Sequence, residues 1–199
     1  MCMDRACDLI NINFPLGDRI GVGSERWCYV KASDPSRCLK ISKKTNCNQT
    51  LREIKYFEFM KRRGIKAFFL PEIYDIFENR EYIGYEQECF LIKDRGGVYD
   101  EACSLDKYIL DCRGSLEEVQ RELNELKQEM MAKNIICSDL SASNILKVRR
   151  GGYSKLVVID GFGATELFPV CKYLKLFGKK KLERQWEKLE RRIGLCLKC

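Results

Sequence analysis

The sequence predicts an α+β protein with a β-rich lobe over residues 1–95 and a reduced helical lobe over residues 96–199. Three observations predict it. Several segments of the first half alternate apolar and polar residues with the period of a strand. Two longer segments, Gln49 to Arg63 and Ser115 to Asn134, switch to helical spacing. Between these groups Lys93-Asp94-Arg95-Gly96-Gly97 breaks the alternation, and no strand is predicted directly after it.

The first strands lie in Arg19 to Val30, where Gly21, Gly23 and Ser24 mark a glycine turn between two extended segments. Glycine lets backbone N–H groups come close to a phosphate, and a serine hydroxyl at the tip adds a donor. G-x-G is equally common in ordinary hairpins. Arg26 replaces a third glycine, and the strand that follows excludes a dinucleotide-binding βαβ unit. A turn is predicted at Ser33-Asp34-Pro35-Ser36, then a short strand, Arg37-Cys38-Leu39-Lys40-Ile41, that carries a lysine among apolar neighbours. A lysine in a strand commonly faces solvent. Behind a glycine hairpin it also stands where a phosphate-gripping cation is needed.

In the first helix, Leu51, Ile54, Phe57 (or Phe59) and Met60 form the apolar face. Glu53 is the expected ion-pair partner of Lys40, with Glu58 as the alternative, although an acid near a helix N-terminus is favourable for its own sake. Strands are expected over Ile73 to Phe77 and Gly84 to Ile92, and the backbone of Lys93, Asp94 and Arg95 is the candidate for bonding an adenine edge. A short helix is expected from Ser104 to Cys112. Ser115-Leu116-Glu117-Glu118 reads as a capping box opening a longer helix with Leu116, Val119, Leu123, Leu126 and Met130 on one face.

That helix leads into the most informative stretch, Ile135-Ile136-Cys137-Ser138-Asp139-Leu140-Ser141-Ala142-Ser143-Asn144-Ile145-Leu146, a basic Gly-Gly turn, then Leu156-Val157-Val158-Ile159-Asp160-Gly161-Phe162-Gly163. Asp139 leaves an apolar run and is placed to accept a hydroxyl proton. Asn144 and Asp160 offer an amide and a carboxylate oxygen, the donors that suit Mg²⁺ shared with substrate phosphates. Either aspartate alone is as well explained by a turn or a helix cap. The joint pattern, an Asp and an Asn five positions apart, a hairpin, then an apolar run ending in Asp-Gly, points to phosphoryl transfer.

The 199 residues are 45% hydrophobic and 33% charged, a globular composition with a net charge of +7. Twelve cysteines without a signal-peptide pattern are expected to be reduced thiols of a cytoplasmic protein. Cys38, Cys89 and Cys137 fall in apolar contexts and read as small core residues. Cys196 and Cys199 form an isolated C-x-x-C that is not expected to hold zinc. The absence of histidine excludes Ser/His/Asp and Cys/His triads, leaving acid–base work to Asp, Glu, Lys, Tyr or Cys.

Charge is concentrated at one end. Residues 171–199 hold ten Lys or Arg against three Glu, and the remainder of the chain is balanced at 26 of each sign. Lys172 to Ile193 reads as an amphipathic helix with Leu174, Leu182, Trp186, Leu189 and Ile193 available for packing. Its basic face is either simply solvated or a contact for an anionic membrane surface or polyanion, which would place the protein peripherally at a membrane. Nucleic acid is not an expected partner, since no recognised module is present.

The order Gly21/Gly23, Lys40, Glu53, Asp139, Asn144, Asp160 resembles the protein-kinase-like superfamily across nearly the whole chain. More narrowly, Cys28-Tyr29, Arg37-Cys38-Leu39-Lys40-Ile41, Arg52-Glu53-Ile54-Lys55-Tyr56, Asn144-Ile145-Leu146, Ile159-Asp160-Gly161-Phe162-Gly163 and Leu167-Phe168-Pro169 are similar to the YrbL family, described as part of the PhoP regulatory network of bacteria. The resemblance implies a minimal kinase-like fold using ATP and Mg²⁺. Cys137 stands where protein kinases have histidine, Ser141 replaces a lysine, Asp160-Gly161-Phe162-Gly163 is one residue longer than Asp-Phe-Gly, and no Ala-Pro-Glu follows. A standard protein-substrate platform is therefore not expected.

The resulting expectation is an ATP- and Mg²⁺-dependent phosphotransferase. Lys40, Glu53, Gly21, Gly23 and Ser24 position the triphosphate, Asn144 and Asp160 hold the metal, and Asp139 activates a hydroxyl. The favoured acceptor is a small molecule or an envelope glycan or lipid. A minimal protein Ser/Thr kinase, a nucleotide-binding regulatory pseudokinase and an interaction module working through the basic tail are the alternatives.

Overall fold

The computed structural model describes residues 16–90, 101–110, 115–150, 152–164 and 173–194. The chain divides into two compact units, one of Met1–Ile54 with Pro71–Ile92 and one of Lys55–Leu70 with Lys93–Cys199. The expected lobe boundary at residues 95/96 and the adenine-contact residues Lys93, Asp94 and Arg95 lie outside the described residues.

The first unit is an antiparallel sheet in the order β1-β2-β3-β5-β4. Its strands are β1 (Leu16–Val22), β2 (Arg26–Lys31), β3 (Asp34–Lys43), β4 (Ile73–Glu78) and β5 (Tyr82–Glu88). Alternation sends Tyr29, Leu39, Ile41 and Tyr82 into one buried cluster, with Leu16, Trp27 and Phe77 packed against it. Each fully buried side chain of this size contributes about 1.5–3 kcal/mol. The turn expected at Ser33 to Ser36 is shorter in the structure. It closes at Ala32 and Ser33, and β3 already runs from Asp34, whose carboxylate accepts from the Ser36 N–H and hydroxyl. Pro35 is tolerated because it stands at the beginning of the strand.

Helix α1 (Asn48–Arg62) contributes its residues through Ile54 to the first unit and those from Lys55 to the second. Ile54, Phe57, Phe59 and Met60 are all buried, and because Phe57 and Phe59 stand two positions apart and point to different sides, the helix is covered on more than one face.

The second unit holds α2 (Leu105–Leu110), α3 (Leu116–Lys133), α4 (Lys175–Ile193) and a three-stranded sheet. That sheet runs β6-β7-β8, from β6 (Glu101–Ser104), β7 (Ile145–Arg150) and β8 (Tyr153–Val158). β6 corrects the expectation that no strand follows the charged break. Four residues, Glu-Ala-Cys-Ser, carry too little β-propensity to be seen, and their extended form comes from pairing with β7.

Ser115 caps α3, its hydroxyl accepting from the N–H groups of Glu117 and Glu118. Val119, Leu123, Leu126 and Met130 are buried as expected, whereas Leu116 is 57% exposed in the first turn. In α4, Leu182, Trp186 and Leu189 pack inward. Leu174 precedes the helix and is exposed, which corrects its expected role in packing. No helix among the described residues is long and apolar enough to cross a membrane.

Candidate functional site

Asp139, Asn144 and Asp160 belong to a loop pair stitched by backbone bonds within the second unit. Cys137 bridges to Phe162, the Ser138 N–H donates to the Gly161 carbonyl at 2.7 Å, and the Gly163 N–H donates to the Ile136 carbonyl at 2.9 Å. The Ser138 hydroxyl donates to the same Gly161 carbonyl at 3.0 Å. The segments that carry Asp139 and Asp160 therefore run side by side. Ile135, Ile136, Cys137 and Phe162 are fully buried beneath them, and this apolar floor leaves the Asp139 side chain exposed.

Asn144 ties the loop from its other end. Its Nδ2 donates to the Asp139 carbonyl at 3.1 Å and to the Asp139 carboxylate at 3.0 Å, and its own carbonyl accepts from the Ile159 N–H at 2.9 Å. One residue thus fixes Asp139 and the strand that delivers Asp160. With Nδ2 committed to Asp139, Oδ1 is the Asn144 atom suited to a cation.

Gly161 has φ +82°, and a Cβ there would lie 2.6 Å from the Asp139 carbonyl oxygen and 3.3 Å from the Asp139 Cβ. Only glycine permits this approach. The Gly161 N–H also donates to the Asp160 carboxylate at 2.5 Å, which holds that side chain against the loop.

Two aromatic residues of α1 support the loop. The Ile136 N–H donates to the Tyr56 hydroxyl at 2.7 Å, and the Phe57 ring lies 5.4 Å from that of Phe162. The amide of Gln185 on α4 donates to the Ser138 carbonyl at 3.1 Å. None of these three was legible as functional in the sequence, because each acts across a long separation.

In the first unit Lys40 lies on β3 opposite Cys28 and Tyr85, and it is 4% exposed. Its ammonium sits 5.7 Å from the Tyr85 ring centroid. The Tyr85 hydroxyl donates to Glu53 at 2.7 Å, and Glu53 is fully buried. Glu58, the alternative partner, is exposed. Arg26 also turns inward and pairs with the Glu53 carboxylate. The residue in place of a third glycine is therefore a buried cation on Glu53. Its sequence signal was the departure from the glycine pattern.

Gly84 completes this packing. A Cβ there would meet the Lys40 carbonyl at 2.2 Å and the Phe77 ring at 2.5 Å. The Cys28 thiol opposite Lys40 is shifted below its usual value by a hydrogen bond with Cys38, with Lys40 adding a smaller push in the same direction against burial. The Cys38 thiol is pushed up by the same bond.

The glycine turn is closed on itself. The Gly23 N–H donates to the Arg26 carbonyl at 2.8 Å, and the Ser24 carbonyl accepts from Asn46 at 3.4 Å. Gly21 pairs with Cys28 in the sheet, and Ser24 is exposed at the tip.

Among the described residues no three His, Cys, Asp or Glu side chains gather as a metal cluster. Two carboxylates and an amide are nevertheless the hard oxygen donors that suit Mg²⁺, an ion that keeps waters and substrate oxygens among its ligands. The donor chemistry of Asp160 and Asn144 fits that ion.

The family model described as PhoP regulatory network protein YrbL matches residues 14–194. The chain belongs to the YrbL family. It is 25% identical over 182 residues to YrbL of Escherichia coli, covering 85% of this chain and 81% of the relative, and equally similar to YrbL of Shigella flexneri. Among solved structures, it is similar to a double mutant of the PknI kinase domain of Mycobacterium tuberculosis. The TM-score is 0.51 at 10% identity, covering 81% of this chain and 62% of that one. The chain thus spans less than two thirds of that kinase domain. The fold is that of a protein kinase domain, α+β with an antiparallel N-terminal sheet.

Proposed function

We propose that this family member is a phosphotransferase that moves the γ-phosphoryl group of ATP to a hydroxyl acceptor. The observation that carries the reading is the Asn144 amide bonded to Asp139, beside a glycine-floored loop that presents Asp160. A turn or cap reading of either aspartate requires no such coupling.

In this reading Asp139, exposed and oriented by Asn144, aligns the acceptor hydroxyl and takes its proton. Asp160 and Asn144 are the residues that would hold Mg²⁺, which when bound neutralises charge on the phosphates. Lys40 is the cation assigned to the triphosphate, with Gly21, Gly23 and Ser24 lining the turn above it. Because Gly23 spends its N–H on Arg26, Ser24 is the better donor of that turn. The buried backbone under the loop fixes Asp139, Asn144 and Asp160 before substrate arrives, and such preorganisation is where most acceleration of a loose transition state comes from. The favoured acceptor is a small molecule or an envelope glycan or lipid, with a protein hydroxyl next.

A specific feature favours a second reading, a nucleotide-binding regulatory pseudokinase. The Glu53 carboxylate is bonded to Arg26 and Tyr85, an arrangement that binds charge in the first unit without any substrate. Thermal shift with ATP and Mg²⁺, followed by radiolabelled ATP turnover, separates the two. Transfer lost in Asp139→Ala supports the phosphotransferase, whereas stable nucleotide binding without transfer in the parent protein supports the pseudokinase.

A further inference from the structure

Within the second unit, a cleft of about 580 Å³ lies apart from the Asp139 loop. Arg63, Lys66, Lys133 and Lys175 line it together with Phe59 and Tyr173, and no carboxylate does among the described residues. The cations are partly organised. The Arg63 guanidinium lies 5.2 Å from the Phe59 ring and 5.9 Å from the Tyr173 ring, and those two rings meet edge to face at 5.4 Å. Lys133 is held by the Lys66 carbonyl at 2.5 Å and by Glu129 at 2.6 Å, so one of the four charges is partly offset. The carbonyl ends of α1 and α3 also lie at this cleft, while α4 starts there without a side-chain cap and directs its free N–H groups the opposite way in sign.

Beside the cleft stands an apolar group that is largely exposed among the described residues, only its Tyr173 ring meeting Phe59. Tyr173 is 55% exposed, Leu174 51%, Leu176 78% and Phe177 57%. Lys175, Lys179 and Lys180 interleave with them and are exposed too. Leu176 and Lys180 are one turn apart on α4, so the apolar and cationic side chains share a face. Four adjacent large apolar side chains in water are costly unless a partner covers them. Aliphatic Leu174 and Leu176 cannot stack on bases, but they enter hydrocarbon readily. Lysines around them match the sign of an anionic leaflet.

We infer that this face is a docking site for an anionic lipid bilayer. Leu174, Leu176 and Phe177 enter the acyl boundary, and the cleft cations Arg63, Lys66 and Lys175 hold headgroup phosphates. The inference narrows the charged tail to the start of α4 and joins it to Arg63 and Lys66, which follow α1. It requires no catalysis and stands independently of the phosphotransferase reading.

The test is co-sedimentation of the full chain with phosphatidylcholine vesicles, with or without phosphatidylglycerol. Two variants are informative, Lys66→Ala with Lys175→Ala, and Leu176→Asp. All three side chains are exposed, so unchanged thermal unfolding is expected. The parent should bind only vesicles containing phosphatidylglycerol and should release as salt rises. The double lysine variant should lose roughly 25-fold in affinity, about five-fold per cation. Leu176→Asp should lose at least about ten-fold.

Binding unaffected by Leu176→Asp would overturn the inference, since attraction without insertion needs no apolar wedge. Failure of the parent to bind either vesicle would also overturn it, and binding of an RNA oligonucleotide instead would assign the face to nucleic acid.

Discussion

In the first unit the charged groups of the candidate site are locked inward. Arg26, Lys40 and Glu53 are each less than a tenth exposed, and Tyr85 binds to Glu53 from the neighbouring strand. In the second unit the Asp139 carboxylate is exposed, its position set by an amide and by backbone bonds in the loop beneath. The difference separates two ways of organising charge. Buried ions must find counter-ions or cost several kcal/mol each, so the first unit is sensitive to any unmatched removal. An exposed carboxylate on a rigid loop costs little to keep, and it remains available to a substrate.

The contrast is broken most severely at the second unit's loop. Asp160→Ala is expected to abolish metal-dependent turnover with little change in unfolding temperature, as radiolabelled ATP transfer and calorimetry would report. Gly161→Ala should damage both quantities at once. A side chain at φ +82° would sit against the Asp139 carbonyl, so a loss of at least about 1–3 kcal/mol is expected in denaturant unfolding.

The first unit should answer differently. Arg26→Met removes a cation from buried Glu53 and should destabilise by about 3–5 kcal/mol, whereas Arg26→Met with Glu53→Leu should recover most of that loss. With Glu53→Leu measured as well, a double variant whose loss equals the sum of the two single losses would show that the pair carries no coupling.

A smaller effect sharpens the same lesson outside the site. Buried Lys147 bonds Glu118 at 2.8 Å and Glu122 at 2.5 Å. The Lys147 hydrogen bond holds the Glu118 carboxyl below its usual value. The stability it contributes is therefore present above the unfolded carboxyl value and disappears as pH falls through the lower folded one. Unfolding followed over that acid range should show a shallower decline in Glu118→Gln than in the parent.

The second unit's loop was legible from sequence because its parts are local. Asp139 and Asn144 are five positions apart, and a hairpin of ordinary length carries the chain to Asp160. The helical and strand periods likewise reveal most elements, since they reflect one face buried and one solvated. The role of Arg26 was not legible. Only the fold brings it against Glu53. Tyr56 and Gln185 act over separations of 80 and 47 residues, which no local pattern encodes. Leu174 and Leu116 were misplaced for another reason, since apolar spacing alone does not mark where a helix stops touching its core.

Phosphoryl transfer from radiolabelled ATP, measured for the parent and for Asp139→Ala at equal protein and Mg²⁺, tests the central claim most directly. Loss of the base is expected to slow transfer by about 10²–10⁴ while ATP binding by thermal shift is retained. Transfer at the parent's rate in Asp139→Ala would contradict the account.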